Sequence, residues 1–338
     1  MGSMIKRLLL LLTGLLVTAL GAQALSVRRA AARVAPELRG PRLLISFSWV
    51  PLGVLPLMRR FLRADTPLGP GVAVRHRTVT SPEGTTVDVV VYDAGSRPSP
   101  SGALLWIHGG GHLVGDPGID HALCSRFVLE AGVPVVSVDY RLAPEDPYPA
   151  DLDDCYAALR WLQTHTDELG VDPSRVAVGG ASAGGGLAAA TVQRAHDAGH
   201  PVCFQLLEYP MLDDRTALVT DQAGRGRFVW TARMNRRAWS AYLGGPAGSE
   251  GVLPAAAPAR RTDLTGLPPA WIGVGDQDLF HDEDLAYARR LRTAGVACAL
   301  HVEPGMYHGA DSVAPDAPSM TAFRGRMVDA LRDAVARH

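Results

Sequence analysis

Short apolar runs and amphipathic stretches alternate along most of this chain. From about residue 72, two segments rich in β-branched residues, 74–80 and 86–92, flank Pro82-Glu83-Gly84. Turn residues between two such segments predict an antiparallel strand pair. The later runs 103–107, 133–138, 175–178, 202–209, 270–274 and 297–302 are apolar with little alternation. Strands of that kind are buried on both faces. Helical patterning falls between them, over 150–165, from Ser182 onward, over 283–294 and over 320–336. The prediction is an α/β fold: a mostly parallel central sheet flanked by helices.

Two regions break the alternation. Residues 28–64 mix arginines with apolar clusters such as Leu43-Leu44-Ile45, and Pro41, Pro51 and Pro56 cut them into short pieces. Proline ends helices, so short amphipathic helices are expected, covering either a lipophilic pocket or the domain edge. Residues 213–262, rich in Arg and Gly and holding Trp230 and Trp239, read as an insertion beside the site. The N-terminus stands apart. Lys6-Arg7, the apolar run 8–20 and Ala22-Gln23-Ala24 follow the order of a secretory signal. The run is broken by Thr13, Gly14 and Thr18, which makes it marginal as a membrane span. A cleaved signal, an uncleaved anchor and an apolar helix packed on the body all fit. Export or membrane association is favoured over a cytoplasmic location.

Composition narrows the function classes. Of 338 residues, 47% are hydrophobic and 20% charged, enough for a sizeable core. A net charge of −1 offers no basic surplus for nucleic acid. Cys124, Cys155, Cys203 and Cys298 form no C-x-x-C pair and read as small buried hydrophobes, with no metal site.

Three motifs carry chemistry. Gly180-Ala181-Ser182-Ala183-Gly184 is a G-x-S-x-G sequence between a predicted strand and a helix. That context is what a nucleophile elbow requires, with Ser182 exposed on a tight turn at a helix N-terminus. His108-Gly109-Gly110-Gly111-His112 follows an earlier strand. Glycines there let backbone N–H groups approach a substrate oxygen and stabilise it as an anion. His108 is expected to pin the loop by hydrogen bonds. Serine needs a base, and His308, in the loop after the last predicted strand, is better placed than His301 within that strand. The orienting acid should follow the preceding strand, where Asp276 and Asp278 compete. Asp282, Glu283 and Asp284 read as a helix N-terminus, where acids serve the helix dipole.

Taken in order, these motifs resemble the hormone-sensitive-lipase-like carboxylesterases, the bacterial family IV esterases. The resemblance runs over about residues 72–336. It includes His108-Gly109-Gly110-Gly111, Asp139-Tyr140-Arg141-Leu142-Ala143-Pro144-Glu145, the elbow, Tyr209-Pro210, Asp278 through Glu283, and His308-Gly309. It implies the α/β-hydrolase fold with a helical cap and no cofactor. The family acid precedes an Asp-Glu pair by four residues, which favours Asp278. The family oxyanion donors map to the N–H groups of Gly110, Gly111 and Ala183.

The implied organisation is a signal or anchor segment at 1–27, cap helices at 28–70, hydrolase core at 71–212, a cap insertion at 213–261, and core again at 262–338. The implied activity is hydrolysis of short- to medium-chain acyl esters, with a small-molecule ester as partner; a homodimer is compatible with the pattern. A non-catalytic binding member of the fold, or a lipase, amidase or peptidase using the same triad, is the rival reading. One departure stands at the elbow: Ala181 occupies a position where the family usually carries Asp or Thr.

Overall fold

The computed structural model describes residues 26–44, 51–61 and 66–336. The expected signal or anchor segment at 1–27 lies outside these, apart from its last two residues. No helix among the described residues is long and apolar enough to cross a membrane.

The predicted strands join one sheet. β1 (Ala73–Thr80), β2 (Thr86–Asp93), β3 (Ser101–Ile107), β4 (Val135–Asp139), β5 (Val171–Ala181), β6 (Phe204–Glu208), β7 (Ala270–Gly275) and β8 (Cys298–Glu303) are ordered β1-β2-β4-β3-β5-β6-β7-β8. β1 and β2 form the expected antiparallel pair, and β2 also meets β4 antiparallel. All pairings from β4 through β8 are parallel. β5 starts earlier than its apolar run, because Val171 already pairs with Ser101 and Asp172 closes a local turn onto Ser174.

The central strands lack alternation because both faces are covered. On β3, Leu105 and Ile107 pack with Val136, Val138 and Val178 against Leu152, Leu159 and Leu162 of helix α1 (Ala150–Thr164). Leu104 and Trp106 face the other way, joining Val135 and Ala177 with Phe323, Met327 and Leu331 of the C-terminal helix (Pro318–Ala336). Full burial of a side chain of this size contributes roughly 1.5–3 kcal/mol, so either layer would be expensive to remove.

A third cluster lies over the C-terminal ends of the strands. It is built by the insertion, through Trp230, Trp239 and Tyr242, against Leu113, Ala183 and Phe280. The insertion's main helix (Ala232–Leu243) is capped by Thr231, whose hydroxyl accepts from the Met234 N–H, and it stops at Gly244 in the left-handed region. Its buried positions, Asn235, Ala238, Trp239 and Tyr242, recur at the three- to four-residue spacing of one helix face.

The chain order reverses beside β3: β4 lies on one side of it and β5 on the other. Loops leaving β3 and β5 therefore diverge, opening a crevice at their C-terminal ends. Ligands bind at such switch points in open α/β sheets. His108–His112 and Ser182 both lie there.

Candidate active site

Ser182 follows β5 directly and caps helix α2 (Ala183–Asp197), with φ 56° and ψ −120°. A non-glycine residue held there stores about 1–3 kcal/mol of strain. The neighbouring backbone enforces it. The Ser182 N–H donates to the Glu208 carbonyl at 2.9 Å, and its own carbonyl accepts from the Met211 N–H at 2.9 Å. A Cβ at Gly184 would fall on the carbonyls of Ile107 and His108, so this turn touches the end of β3 only because residue 184 has no side chain.

The Ser182 hydroxyl lies 2.9 Å from His308 Nε2, and His308 Nδ1 lies 2.8 Å from Asp278 Oδ2. The second Asp278 oxygen accepts the Phe280 N–H at 2.9 Å, which fixes the carboxylate plane. Asp278 is fully buried, while Ser182 and His308 are each 5% exposed, open only toward the cavity. Phe280 and Tyr209 set their rings edge-on to the imidazole, at 5.1 and 4.7 Å between centroids.

The competitors point elsewhere. Asp276 accepts the Gly305 N–H at 2.7 Å and so shapes the loop that carries His308. His301 pairs with Glu303 and packs near Phe323.

Gly110 and Gly111 have φ 128° and 64° and line the cavity beside Ser182. A Cβ on Gly110 would meet the Val114 carbonyl, and one on Gly111 would meet the Trp230 ring. The turn closes through Leu113 and Val114 N–H groups donating to the Gly110 carbonyl, each at 3.1 Å. Ala183 is the first residue of α2, where N–H groups have no partner within the helix.

His108 is fully buried and stacks on Tyr140 at 4.3 Å. Burial pushes its pKa down to about 4, so the ring is neutral and Nδ1 donates to the Gly109 carbonyl at 2.8 Å. The Tyr140 hydroxyl donates to the His108 carbonyl at 3.0 Å, giving the Asp139-Tyr140-Arg141 motif a supporting part in the loop.

Two features were not foreseen. His112 sits 2.8 Å from Asp151 and stacks on Tyr242 at 3.9 Å, joining the glycine loop to α1 and to the insertion. His112 closes the glycine motif but Asp151 belongs to none, so their contact has no sequence signature. Glu208, Asp311, Tyr209 and Arg324 form a buried polar group under the cavity. Asp311 accepts from the Tyr209 hydroxyl at 2.8 Å and from Arg324 at 2.8 Å.

Glu283 and Asp284 stand at the helix N-terminus as read, and the structure adds a second role. Helix α3 (His281–Thr293) starts where expected, but both residues face inward and are buried. Glu283 accepts the Leu212 N–H at 2.7 Å and the Thr216 hydroxyl, clasping the start of the insertion. The reading of the cysteines needs a correction: all four are free, but only Cys124 and Cys155 are buried. Cys203 and Cys298 lie near strand starts and are partly buried.

The cavity over Ser182 has a volume of about 440 Å³. Leu55, Leu113, Val229, Trp230 and Met234 form its apolar roof and sides.

Comparison with known proteins agrees with this geometry. A family model described as the alpha/beta hydrolase fold matches residues 104–312. Carboxylesterase NlhH of Mycobacterium tuberculosis is 38% identical over 283 residues, covering 82% of this chain and 87% of that protein. Ethyl acetate hydrolase of Pseudomonas putida is 34% identical over 236 residues, covering 68% of this chain and 73% of the relative. Among solved structures, a bacterial heroin esterase superposes with a TM-score of 0.82 at 36% identity, covering 91% of this chain and 99% of that one. Esterase LipW of Mycobacterium marinum gives 0.78 at 36% identity, covering 90% and 97%. With the sheet order, the serine-bearing turn and this degree of likeness together, the chain belongs to the hormone-sensitive-lipase-like carboxylesterases of the α/β-hydrolase fold, enzymes that hydrolyse carboxylic esters.

Proposed function

We propose that this esterase works through a covalent acyl-serine intermediate on short- to medium-chain acyl esters. The observation that carries the reading is the continuous Ser182–His308–Asp278 relay, at 2.9 and 2.8 Å, opening into the cavity beside Gly110 and Gly111. His308 Nε2 takes the hydroxyl proton as Ser182 attacks the ester carbonyl. Asp278 holds the ring in the Nδ1–H tautomer and stabilises the imidazolium that forms. The N–H groups of Gly110, Gly111 and Ala183 hold the oxyanion. His308 then gives its proton to the leaving alcohol, and water attacks the acyl-serine by the reverse path.

The cap in this proposal is residues 28–70 and 213–261, the pieces that supply Leu55, Trp230 and Met234 to the roof. A cavity of about 440 Å³ falls in the range of small-molecule sites, about 300–1,000 Å³, and suits a compact ester better than a triglyceride.

Labelling with a fluorophosphonate, read by peptide mapping, tests the mechanism. One adduct on Ser182, absent in His308→Ala, is expected. An adduct elsewhere, or none on folded protein, would overturn it. A series of 4-nitrophenyl esters tests the chain length: a maximum at butanoate to octanoate is expected, and a maximum on long emulsified chains would indicate a lipase.

A further inference from the structure

The floor of the cavity is unlike its roof. Three carboxylic acids, Asp120, Glu208 and Asp311, line it beside Ser182. Two are accounted for by partners. Asp311 is held between Arg324 and the Tyr209 hydroxyl. Asp120 accepts from the Trp106 indole N–H at 2.8 Å. Glu208 differs. It is 1% exposed, and its Oε1 has no hydrogen-bond partner among the described residues. Leaving a buried acceptor unmade costs stability, so such an atom bordering a cavity calls for a donor.

Its position follows from the sheet. Glu208 is the last residue of β6 and pairs in register with Ala181 of β5, the residue before the nucleophile. Directly opposed residues of paired strands point to the same face, so the methyl of Ala181 and the carboxyl of Glu208 stand side by side. Both residues line the cavity, and the methyl at 181 offers Glu208 no hydrogen-bond partner.

The chemistry of the acid follows from its surroundings. Burial first, and then the neighbouring Asp311 carboxylate, pushes the Glu208 pKa well above the ordinary range. Burial therefore favours the neutral form of Glu208, its side chain lies within reach of Asp311, and Oε1 is the oxygen left without a partner. Asp120 is raised to about 6 by burial, and so is mostly ionised above neutral pH. With Asp311 held by Arg324, the floor presents the unpartnered Glu208 oxygen and the Asp120 carboxyl. Arg237 lines the same cavity with Met234 and Trp230, the insertion residues of the roof.

We propose that Glu208, with Asp120 beside it, forms a polar subsite that takes a hydrogen-bond-donating group of the substrate, a hydroxyl or a protonated amine, carried a few bonds from the ester carbonyl. The enzyme is then selective for esters with one such donor on an otherwise apolar frame. This rests on the serine-esterase reading above and adds the substrate class to it.

The test compares kcat/KM for shape-matched ester pairs that differ only in the donor. On the acyl arm the pair is 4-nitrophenyl 3-hydroxybutanoate against 3-methylbutanoate. On the alcohol arm the pairs are 2-hydroxyethyl against propyl acetate, and 2-(dimethylamino)ethyl against 3-methylbutyl acetate. One hydrogen bond to a buried acceptor is worth about a factor of 10, so at least one arm should favour the donor by that much in the wild type. The hydroxyl and amine pairs show which donor is preferred. Glu208→Met should abolish the preference, and Glu208→Gln, which keeps a carbonyl acceptor and a donor toward Asp311, should retain it.

The readout is a ratio within each enzyme, so a general loss of activity or of folded protein cancels. A wild type that favours the all-carbon partner on every arm overturns the subsite without any variant. An unchanged ratio in Glu208→Met does so as well. Hydrolysis of the plain alkyl esters, with Ser182 acylated, marks those results as failures of the subsite alone. Absence of any Ser182 acylation would bring down the serine reading instead.

Discussion

Asp278 and Asp276 lie two residues apart, and exchanging each for asparagine separates their roles. In Asp278→Asn the oxygen facing Phe280 N–H can be kept, so the local turn survives. The group 2.8 Å from His308 Nδ1 becomes an amide NH₂. Two donors cannot face each other at that distance. The imidazole is driven to the Nε2–H tautomer, and Nε2 then presents a hydrogen to Ser182 instead of a lone pair. In serine proteases the same change costs about 10⁴ in kcat. At 1.36 kcal/mol per decade that is about 5 kcal/mol of transition-state stabilisation.

Asp276→Asn retains an acceptor for the Gly305 N–H and should lose only a few-fold in activity. Initial rates on 4-nitrophenyl butanoate at pH 8 give the comparison, with circular dichroism and thermal melts confirming that both variants fold. An Asp278→Asn enzyme retaining more than about a tenth of wild-type kcat would refute the tautomer argument. So would an Asp276→Asn enzyme that is the inactive one of the two.

Two further outcomes follow from the geometry. Gly111→Ala puts a methyl on the Trp230 ring at φ 64°, so it should lower kcat by about 10²-fold or more by displacing an oxyanion donor; steady-state kinetics measure this, and a change in KM alone would argue against that role for the loop. Asp120, with its folded pKa raised to about 6, favours the folded state fully below the unfolded value near 3.9 and loses that contribution as pH rises through 6. A two-unit shift bounds the effect at about 3 kcal/mol, less for a group bordering a wet cavity. Asp120→Asn keeps the acceptor for Trp106 and should flatten this part of the pH dependence between pH 4 and 6 in urea unfolding. An identical slope in both proteins would show that Asp120 does not carry it.

Much of this protein was legible in its residues because the informative patterns are local. Apolar runs without alternation require strands covered on both faces, and β3 through β7 are such strands. A serine among glycines between a strand and a helix can adopt few backbones, and Ser182 adopts the strained one that exposes its hydroxyl. The choice between Asp276 and Asp278 was not local: the residues themselves left it open, and only the family resemblance favoured Asp278. Both follow β7, and only the packing of the His308 loop decides which carboxylate meets the imidazole and which one holds Gly305.

Glu283 and Asp284 stand in the first turn of their helix as expected, but their burial was not legible, for a related reason. A helix N-terminus attracts acids by its dipole, yet whether they face water or protein depends on what lies over that turn, here the start of the insertion at Leu212 and Asp213. The His112–Asp151 and Glu208–Asp311–Arg324 groups lay wholly beyond sequence reading. Their members come from separate strands, helices and loops, and each is a common surface residue type until folding removes its water. The sequence by itself determined the layers of the fold and the kinds of side chain that reach the crevice. Only the tertiary structure decided which carboxylates are buried beside one another, because desolvation and pairing belong to the packed sheet and not to the order of residues along the chain.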